Sequence, residues 1–324
     1  MLNHCFRVGS GNIDNLPLCK GEPKNDSLFQ AIINFEIDQL MLQETGVNWS
    51  VTAGKDQFQQ RLNEYFEPDQ TSSYMSHNQH DKTGNRKQWG GTGTLTHGKL
   101  KHFGMGAGTD KAQLGRWTWA RFRGKGGIVF CTVSMYQPCT NKNGEQSVYA
   151  QHKSHLQTLN DDRDPRKAFM EDLKMELTEW IDQGDQIVVG GDMNESVFHE
   201  SITSLFDTFN MRNLIFDMHD PAHAPKSYFR TTEGRIVDGL WGTPGIHVER
   251  CGYLEPGDFP GNHSLMWADI TYESALGHNP PFLNVPPLDD SAPATPNAPN
   301  DTSTTMKRTS NANTSTPDRC DWKR

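Results

Sequence analysis

No apolar run in this chain approaches the ~18 residues that a membrane span requires, so a transmembrane helix is not expected. The amino terminus, Met-Leu-Asn-His-Cys-Phe-Arg, lacks a charged-then-apolar secretory pattern, which points to an intracellular protein. No Cys-x-x-Cys pair occurs among the six cysteines (Cys5, Cys19, Cys131, Cys139, Cys251, Cys320), so zinc and redox centres find no support and free thiols are expected. A basic surplus is also missing: 31 Lys and Arg stand against 40 Asp and Glu, a formal charge of -9. That excludes a generally basic nucleic-acid binder but leaves room for local basic patches beside an acidic metal site. Apolar residues are sparse, at 34 % with a mean hydropathy of -0.73, so part of the chain is expected to stay unfolded. No repeat of solenoid or propeller period is present.

The scarcity is concentrated at one end. Eight of the 18 prolines lie between Pro280 and Pro317, among Ser, Thr and Asn. Residues 274–324 are therefore read as a disordered tail and residues 1–273 as one folded domain. The tail's five acidic and five basic residues cancel, so the domain carries the whole -9.

Within the domain, apolar periodicity predicts alternating strands and helices. Cys5 to Gly9 and Leu40-Met41-Leu42 read as strands. Leu28, Ala31, Ile32 and Phe35 repeat at helical spacing behind Asn25-Asp26-Ser27, any of which could cap. Phe58, Leu62, Tyr65 and Phe66 form the face of a second helix. Thr71 to Lys87 is polar and reads as an exposed loop. Strands are expected over Gly93–Leu100, Arg116–Arg123 and Gly127–Tyr136, with Trp117, Trp119, Arg121 and Arg123 sharing one face. Asp164 to Ile181 predicts a helix capped by Asp164, with Pro165 in its first turn and Gly184 closing it. A further helix is expected near Val197–Phe209, and strands at Gly234–Trp241, Ile246–Tyr253 and Leu265–Thr271. In Asp185-Gln-Ile-Val-Val-Gly-Gly-Asp-Met-Asn-Glu195 a β-branched apolar run stops at two glycines and delivers Asp192 and Asn194 at the strand's carboxyl end.

Similar polar tips end other strands: Asn12 with Asp14, Gln43-Glu44, Tyr136, Asp238, and Asn262-His263 before the last strand. Taken singly, each has a plain reading: Asn12 and Asn194 as turn residues, Glu44 as a solvated strand end, Asp238 as a partner for Arg235, His263 as a surface histidine.

The ordered set Asn12-Ile-Asp14, Gln43-Glu44-Thr45, Tyr136-x-Pro138, Gly191-Asp192-x-Asn194, Arg235-Ile-x-Asp238 and Asn262-His263 resembles the endonuclease/exonuclease/phosphatase superfamily, the DNase I-like fold. It runs from residue 5 to about 272 in that family's order. Gly115-Arg116-Trp117 and His263-Ser-Leu-Met-Trp-Ala-Asp look similar to abasic-site type endonucleases and, more closely, to the endonuclease domains of non-LTR retrotransposon reverse transcriptases. No reverse-transcriptase segment follows, so a solitary domain or truncated element is expected. The resemblance implies an α/β fold, a four-layer sandwich of two packed β-sheets flanked by helices.

It also implies roles. Glu44 is the expected oxygen ligand for Mg²⁺, with Mn²⁺ as a substitute, helped by Asp14 and Asn262. Asp192 would activate water and Asn194 position it; Asp238 would fix the tautomer of His263, which would stabilise the phosphorane; Asn12 and Tyr136 would donate to phosphate oxygens or the leaving group. The family usually has Ser-Asp-His before the final strand. Asn262 replaces that Asp, and Cys139 stands where an asparagine is usual.

The implied activity is metal-dependent phosphodiester hydrolysis of DNA, with the nucleus as its place if genomic DNA is the target. The implied partner is DNA, with no membrane and no obligatory protein partner. Arg86 and Lys87, and Arg121 with Arg123, are candidate phosphate contacts, as are Lys82, Lys99, Lys101, Lys125, Arg163, Arg166 and Lys167, although each cluster is also ordinary solvated charge. Trp117 and Trp119 could stack on bases or lie in the core. His152 with His155, and His219 with His223, read as surface residues. A second reading keeps the fold and changes the substrate to RNA, a phosphoinositide, a phosphomonoester or a tyrosyl-DNA bond. A third is a nucleic-acid-binding module with a weakened site, which Asn262 favours.

Overall fold

Strand after strand in this chain carries apolar side chains on one face and, at one end, polar ones. A computed structural model describes residues 2–17, 22–81, 85–139, 147–229 and 235–280. Its strands are β1 (Cys5–Asn12), β2 (Gln39–Gln43), β3 (Thr71–Ser76), β4 (Thr92–His97), β5 (Gly104–Thr109), β6 (Trp117–Arg123), β7 (Val129–Tyr136), β8 (Gln186–Asp192), β9 (Arg212–Asn213), β10 (Asp238–Gly242), β11 (Val248–Tyr253) and β12 (Met266–Thr271). The helices are α1 (Pro23–Asn34), α2 (Thr52–Tyr65), α3 (Val148–Thr158), α4 (Pro165–Asp182), α5 (Glu200–Asp207) and α6 (Tyr272–Leu276).

Two six-stranded sheets form, ordered β11-β12-β1-β2-β4-β3 and β5-β6-β7-β8-β10-β9. Each holds one parallel pair at its centre, β1 with β2 and β7 with β8, among antiparallel neighbours. Three apolar clusters define the layers. Phe6, Val8, Met41, Phe130, Val188 and Leu240 lie between the sheets. Leu28, Phe29, Ile32, Phe58 and Leu62 of α1 and α2 cover the outer face of the first sheet against Leu40, Leu42 and Leu95. Phe169, Leu173 and Leu177 of α4, with Ile202 and Phe206 of α5, cover the second against Cys131, Val133, Ile187 and Val189. The result is helix, sheet, sheet, helix, the four-layer α/β sandwich.

Period-2 alternation fixes which side chains enter the inter-sheet space. In β1 they are Phe6, Val8, Ser10 and Asn12; in β7, Phe130, Thr132, Ser134 and Tyr136; in β8, Val188, Gly190 and Asp192. The interior thus grades from apolar at one end to polar at the other. Hydrogen bonds link the two sheets through these polar groups: Gln39 Nε2 donates to Thr132 Oγ1 (3.0 Å), and Gln43 Nε2 donates to Ser134 Oγ (3.0 Å) and, within its own sheet, to Ser10 Oγ (3.3 Å).

Several local expectations are corrected. The stretch from Thr71 is not a loop: β3 is an edge strand, paired with β4 from Thr71↔His97 to Ser76↔Thr92. Its Ser and Thr residues hid it, because an edge strand with one solvated face needs few apolar residues. Lys82 lies outside the described residues. The Asp185 run forms β8, which passes through both glycines and ends at Asp192 as expected. Helix α1 starts at Pro23, ahead of the Asn25-Asp26-Ser27 group. Asp164 caps α4, its side chain accepting from Arg166 N, and Pro165 follows in the first turn. The compact unit runs to Pro280, and α6 spans the point where the domain was expected to end. His152 is buried, not superficial, and His155 stacks on His80 at 3.7 Å between ring centroids. His219 and His223 are both exposed, as read from the sequence, and a His219 ring nitrogen meets Cys251 O. Trp117 is core and donates to Glu176, and Trp119 packs against Trp180. Cys5, Cys131, Cys139 and Cys251 are free thiols. Among the described residues, no helix is long and apolar enough to cross a membrane.

Candidate active site

The polar end of the sandwich is where the predicted tips meet. The parallel pairs β1–β2 and β7–β8 leave their carboxyl ends side by side, with Asn12 opposite Gln43 and Tyr136 opposite Asp192. Antiparallel β10 begins at the same end, with Asp238 opposite Asp192. His263 lies just ahead of β12, which runs antiparallel to β1.

Asn12 ties the two sheets together. Its Nδ2 donates to Glu44 Oε2 (3.0 Å) and to Asp192 Oδ2 (2.9 Å), and its Oδ1 accepts from Asp14 N (2.9 Å). Tyr136 OH donates to Glu44 Oε1 at 2.5 Å. Asp192 Oδ1 accepts from Asn194 N (2.7 Å), and Asn194 Nδ2 donates to Gln137 O (2.8 Å). His263 Nδ1 lies 2.7 Å from Asp238 Oδ2, and its Nε2 lies 3.9 Å from Asp192 Oδ2. Asp14 and Asn262 form a separate pair at the rim, Asn262 Nδ2 donating to Asp14 Oδ2. Asp14 (φ 48°), Glu44 (φ 51°) and Asn194 (φ 47°) all adopt left-handed backbone, a local strain that recurs at functional sites.

Burial makes these contacts electrostatically strong. Asp192 is buried, which pushes its carboxyl up; the negative charge of Asp238 adds to this while His263 opposes it. Burial alone would lower the His263 imidazole, but the adjacent Asp238, with Asp192 and Glu44, outweighs it and raises the ring above its ordinary value. Tyr136 is held well above its usual range by burial and then by Glu44 and Asp192, so it keeps its proton.

The residues present fit a divalent cation. Three carboxylates gather round one imidazole, and Asp238 Oδ1 is buried without a hydrogen-bond partner. Ligand-type atoms of Asp192, Asp238 and His263 lie within 4.8 Å of one another. Because Asp238 already grips His263 Nδ1, this trio reads as a carboxylate-oriented imidazole, which leaves Glu44 as the oxygen ligand of choice.

Some candidates fall elsewhere. Arg121 and Arg123 lie on the outer face of β6, opposite Cys131 and Val129 at the far end of β7 from Tyr136. Arg121 is paired with Asp185 at 2.5 Å, so this end of the sheet uses it structurally. That placement sets Arg121 and Arg123, candidate phosphate contacts, at the end of the sheet away from the strand tips that carry the site. Arg86 and Lys87 sit closer: Arg86 O accepts from Asn48 N, and Lys87 pairs with Val47, three residues past Glu44. Three supporting residues escaped the sequence reading. Ser227 Oγ accepts from Asp238 N (3.2 Å), Tyr228 packs on His263 with ring centroids 4.8 Å apart, and Gln137 N donates to Asp192 O (2.9 Å). Only Gln137 had a signal, as the neighbour of Tyr136.

No protein-family model matches this sequence, and no curated protein matches it. Solved structures do. The human Nocturnin catalytic domain with bound sulfate anion is similar at 15 % identity over 83 % of this chain and 95 % of that one, with TM-score 0.58. The AP endonuclease of Leishmania major is similar at 13 % identity over 83 % and 88 %, with TM-score 0.60. A mannosyl-6-phosphatase of Bacteroides thetaiotaomicron is similar at 14 % identity over 82 % and 99 %, with TM-score 0.53. The chain therefore has the endonuclease/exonuclease/phosphatase fold, the DNase I-like α/β sandwich.

Proposed function

We propose that this protein is a divalent-metal-dependent phosphodiesterase that hydrolyses DNA. The observation that carries the reading is the convergence of Glu44, Asn12, Asp192 and the Asp238–His263 pair at one end of both sheets. Acid, amide and oriented imidazole are the groups that phosphodiester hydrolysis needs. Glu44, with Asp14 and Asn262 at the rim, would hold Mg²⁺ or Mn²⁺, which would neutralise charge on the phosphate.

The chain's own groups do the rest. Asp192, buried and with a raised proton affinity, accepts the proton of the attacking water as the water oxygen bonds to phosphorus and the P–O bond to the leaving group breaks. Asn194 is fixed to Asp192 and Gln137, and so orients the approach. His263, its Nδ1 anchored by Asp238, presents Nε2 to a nonbridging oxygen as negative charge builds there. Asn12 holds Glu44 and Asp192 at a fixed separation, and protonated Tyr136 donates without becoming a nucleophile.

The test is cleavage of a single-stranded oligonucleotide and nicking of supercoiled plasmid, with and without EDTA. Wild type should lose activity in EDTA and regain it with Mg²⁺ or Mn²⁺. Glu44→Gln and His263→Ala should each lose about 10²–10⁴-fold. Equal activity in all three proteins, or full activity in EDTA, would overturn the reading. An inositol phosphate and a sugar phosphate assayed beside the DNA would expose a phosphomonoesterase.

A further inference from the structure

Four aromatic side chains among the described residues are exposed: Tyr74 at 36 %, Trp89 at 42 %, Phe198 at 49 % and Phe229 at 37 %. All four lie toward the end of the sandwich that holds the candidate active site. Trp89 precedes Gly90, where an added Cβ would stand 3.8 Å from the Tyr136 ring, and Gly90 O accepts from Gly46 N, two residues past Glu44. Phe229 follows Tyr228, whose ring packs on His263, and Phe229 N donates to Asn262 O. Phe198 sits in the loop that leaves Asn194. Tyr74 lies two residues before the site-side end of β3 and lines a cavity of about 450 Å³ with His77, Met75 and Lys55.

Trp89 and Phe229 stand on opposite sides of the reacting groups. The ends that carry Glu44 and His263 are two strand spacings apart, on the order of 10 Å. A phosphate seated between them sends one neighbouring nucleoside toward Trp89 and the other toward Phe229. Lys87 Nζ lies over the Trp89 ring, 3.9 Å from its centroid, so a cation covers one face of that platform and a base would stack on the other.

Among the described residues, several cations are already engaged by the protein's own groups. Arg163 is held by Asp161, Glu171 and Asp172, Arg166 by the carbonyls of Pro138 and Met193, and Lys111 by Glu179. Duplex binding draws mainly on phosphate contacts, whereas aromatic platforms need base faces that a paired helix hides. We infer that the substrate of this site is an unpaired DNA strand, whose bases on either side of the scissile phosphate stack on Trp89 and Phe229. This rests on the phosphodiesterase reading and narrows its substrate.

The test uses the full chain carrying His263→Ala to suppress turnover, with fluorescence anisotropy of labelled oligo(dT) and of oligo(dT) annealed to oligo(dA). The single strand should bind at least about tenfold more tightly than the duplex. Trp89→Ala and Phe229→Ala, added singly, should each weaken single-strand binding about tenfold, the worth of one stacked base, and Trp89→Tyr should regain most of it. Duplex affinity equal to or above that of the strand overturns the inference. So does strand affinity untouched by both alanine substitutions. Strand binding with the expected pattern, combined with no phosphodiester cleavage by the unsubstituted protein, upholds the stacking site and overturns the phosphodiesterase reading alone.

Discussion

Asn12 shows how much one side chain can decide. It is fully buried, and its single amide group spans Glu44 and Asp192 while its oxygen takes the Asp14 amide. Two carboxylates from different sheets are thereby held at fixed separation. Asn262 matters for the opposite reason, since it supplies an amide where a carboxylate is usual in this fold and donates it to Asp14. Asn262→Asp should set two carboxylates against each other. In EDTA this should cost on the order of 1 kcal/mol in a urea titration. A divalent cation should restore that stability and bind more tightly than it does to wild type, as read by calorimetry. Loss of stability that no cation reverses would remove Asp14 and position 262 from the metal set.

At the scale of the element, β8 explains why the Gly-Gly-Asp motif has its glycines. A Cβ at Gly190 would lie 2.6 Å from Met41 Cε and 2.7 Å from Ser10 Oγ of the facing sheet. One at Gly191 would lie 2.0 Å from Met135 O, a backbone atom in the neighbouring strand. The first glycine lets the sheets approach, and the second lets β7 and β8 pair closely enough to set Tyr136 beside Asp192. Gly191→Ala should destabilise the fold by about 1–3 kcal/mol, the usual range for overpacking, as measured by the urea midpoint. The proposed hydrolytic activity should fall with it, because the register that aligns the two site residues is strained. A variant as stable and as active as wild type would show that β7 and β8 part without cost.

At the scale of the molecule, acid stability has an identifiable contributor outside the set of reacting groups. His152 on α3 is fully desolvated beside Arg116 and His155, and its imidazole is lowered from 6.5 to about 3, although Leu114 O accepts from the ring. Between those values the unfolded chain binds a proton that the folded one refuses, so stability is intact above pH 6.5 and falls as pH drops toward 3. The slope is on the order of 1.4 kcal/mol per pH unit, reduced by whatever other groups contribute. His152→Gln should be less sensitive than wild type to lowering the pH from 7 toward 4 in urea titrations. Parallel curves for the two proteins would remove His152 as the cause.

Much of this was legible in the sequence. The helix Pro165–Asp182, with its Asp164 cap and apolar stripe, followed from local rules, as did the β-branched run into Asp192. Six polar tips in a recognisable order named the fold before any coordinates. What could not be read was β3, whose polar residues match a solvated loop, and His152, whose burial is imposed by packing against Leu114 and Arg116. Ser227 and Tyr228, which steady Asp238 and His263, had no spacing to betray them. Sequence determines which residues end each strand and which face each presents, because those depend on period and neighbours along the chain. Only the tertiary structure decided that Asn12, Glu44, Tyr136, Asp192, Asp238 and His263 share one end, and that Arg121 and Arg123 lie at the other. That choice depends on which strands pair, in which direction, and on how two sheets close over a core that is apolar at one end and polar at the other.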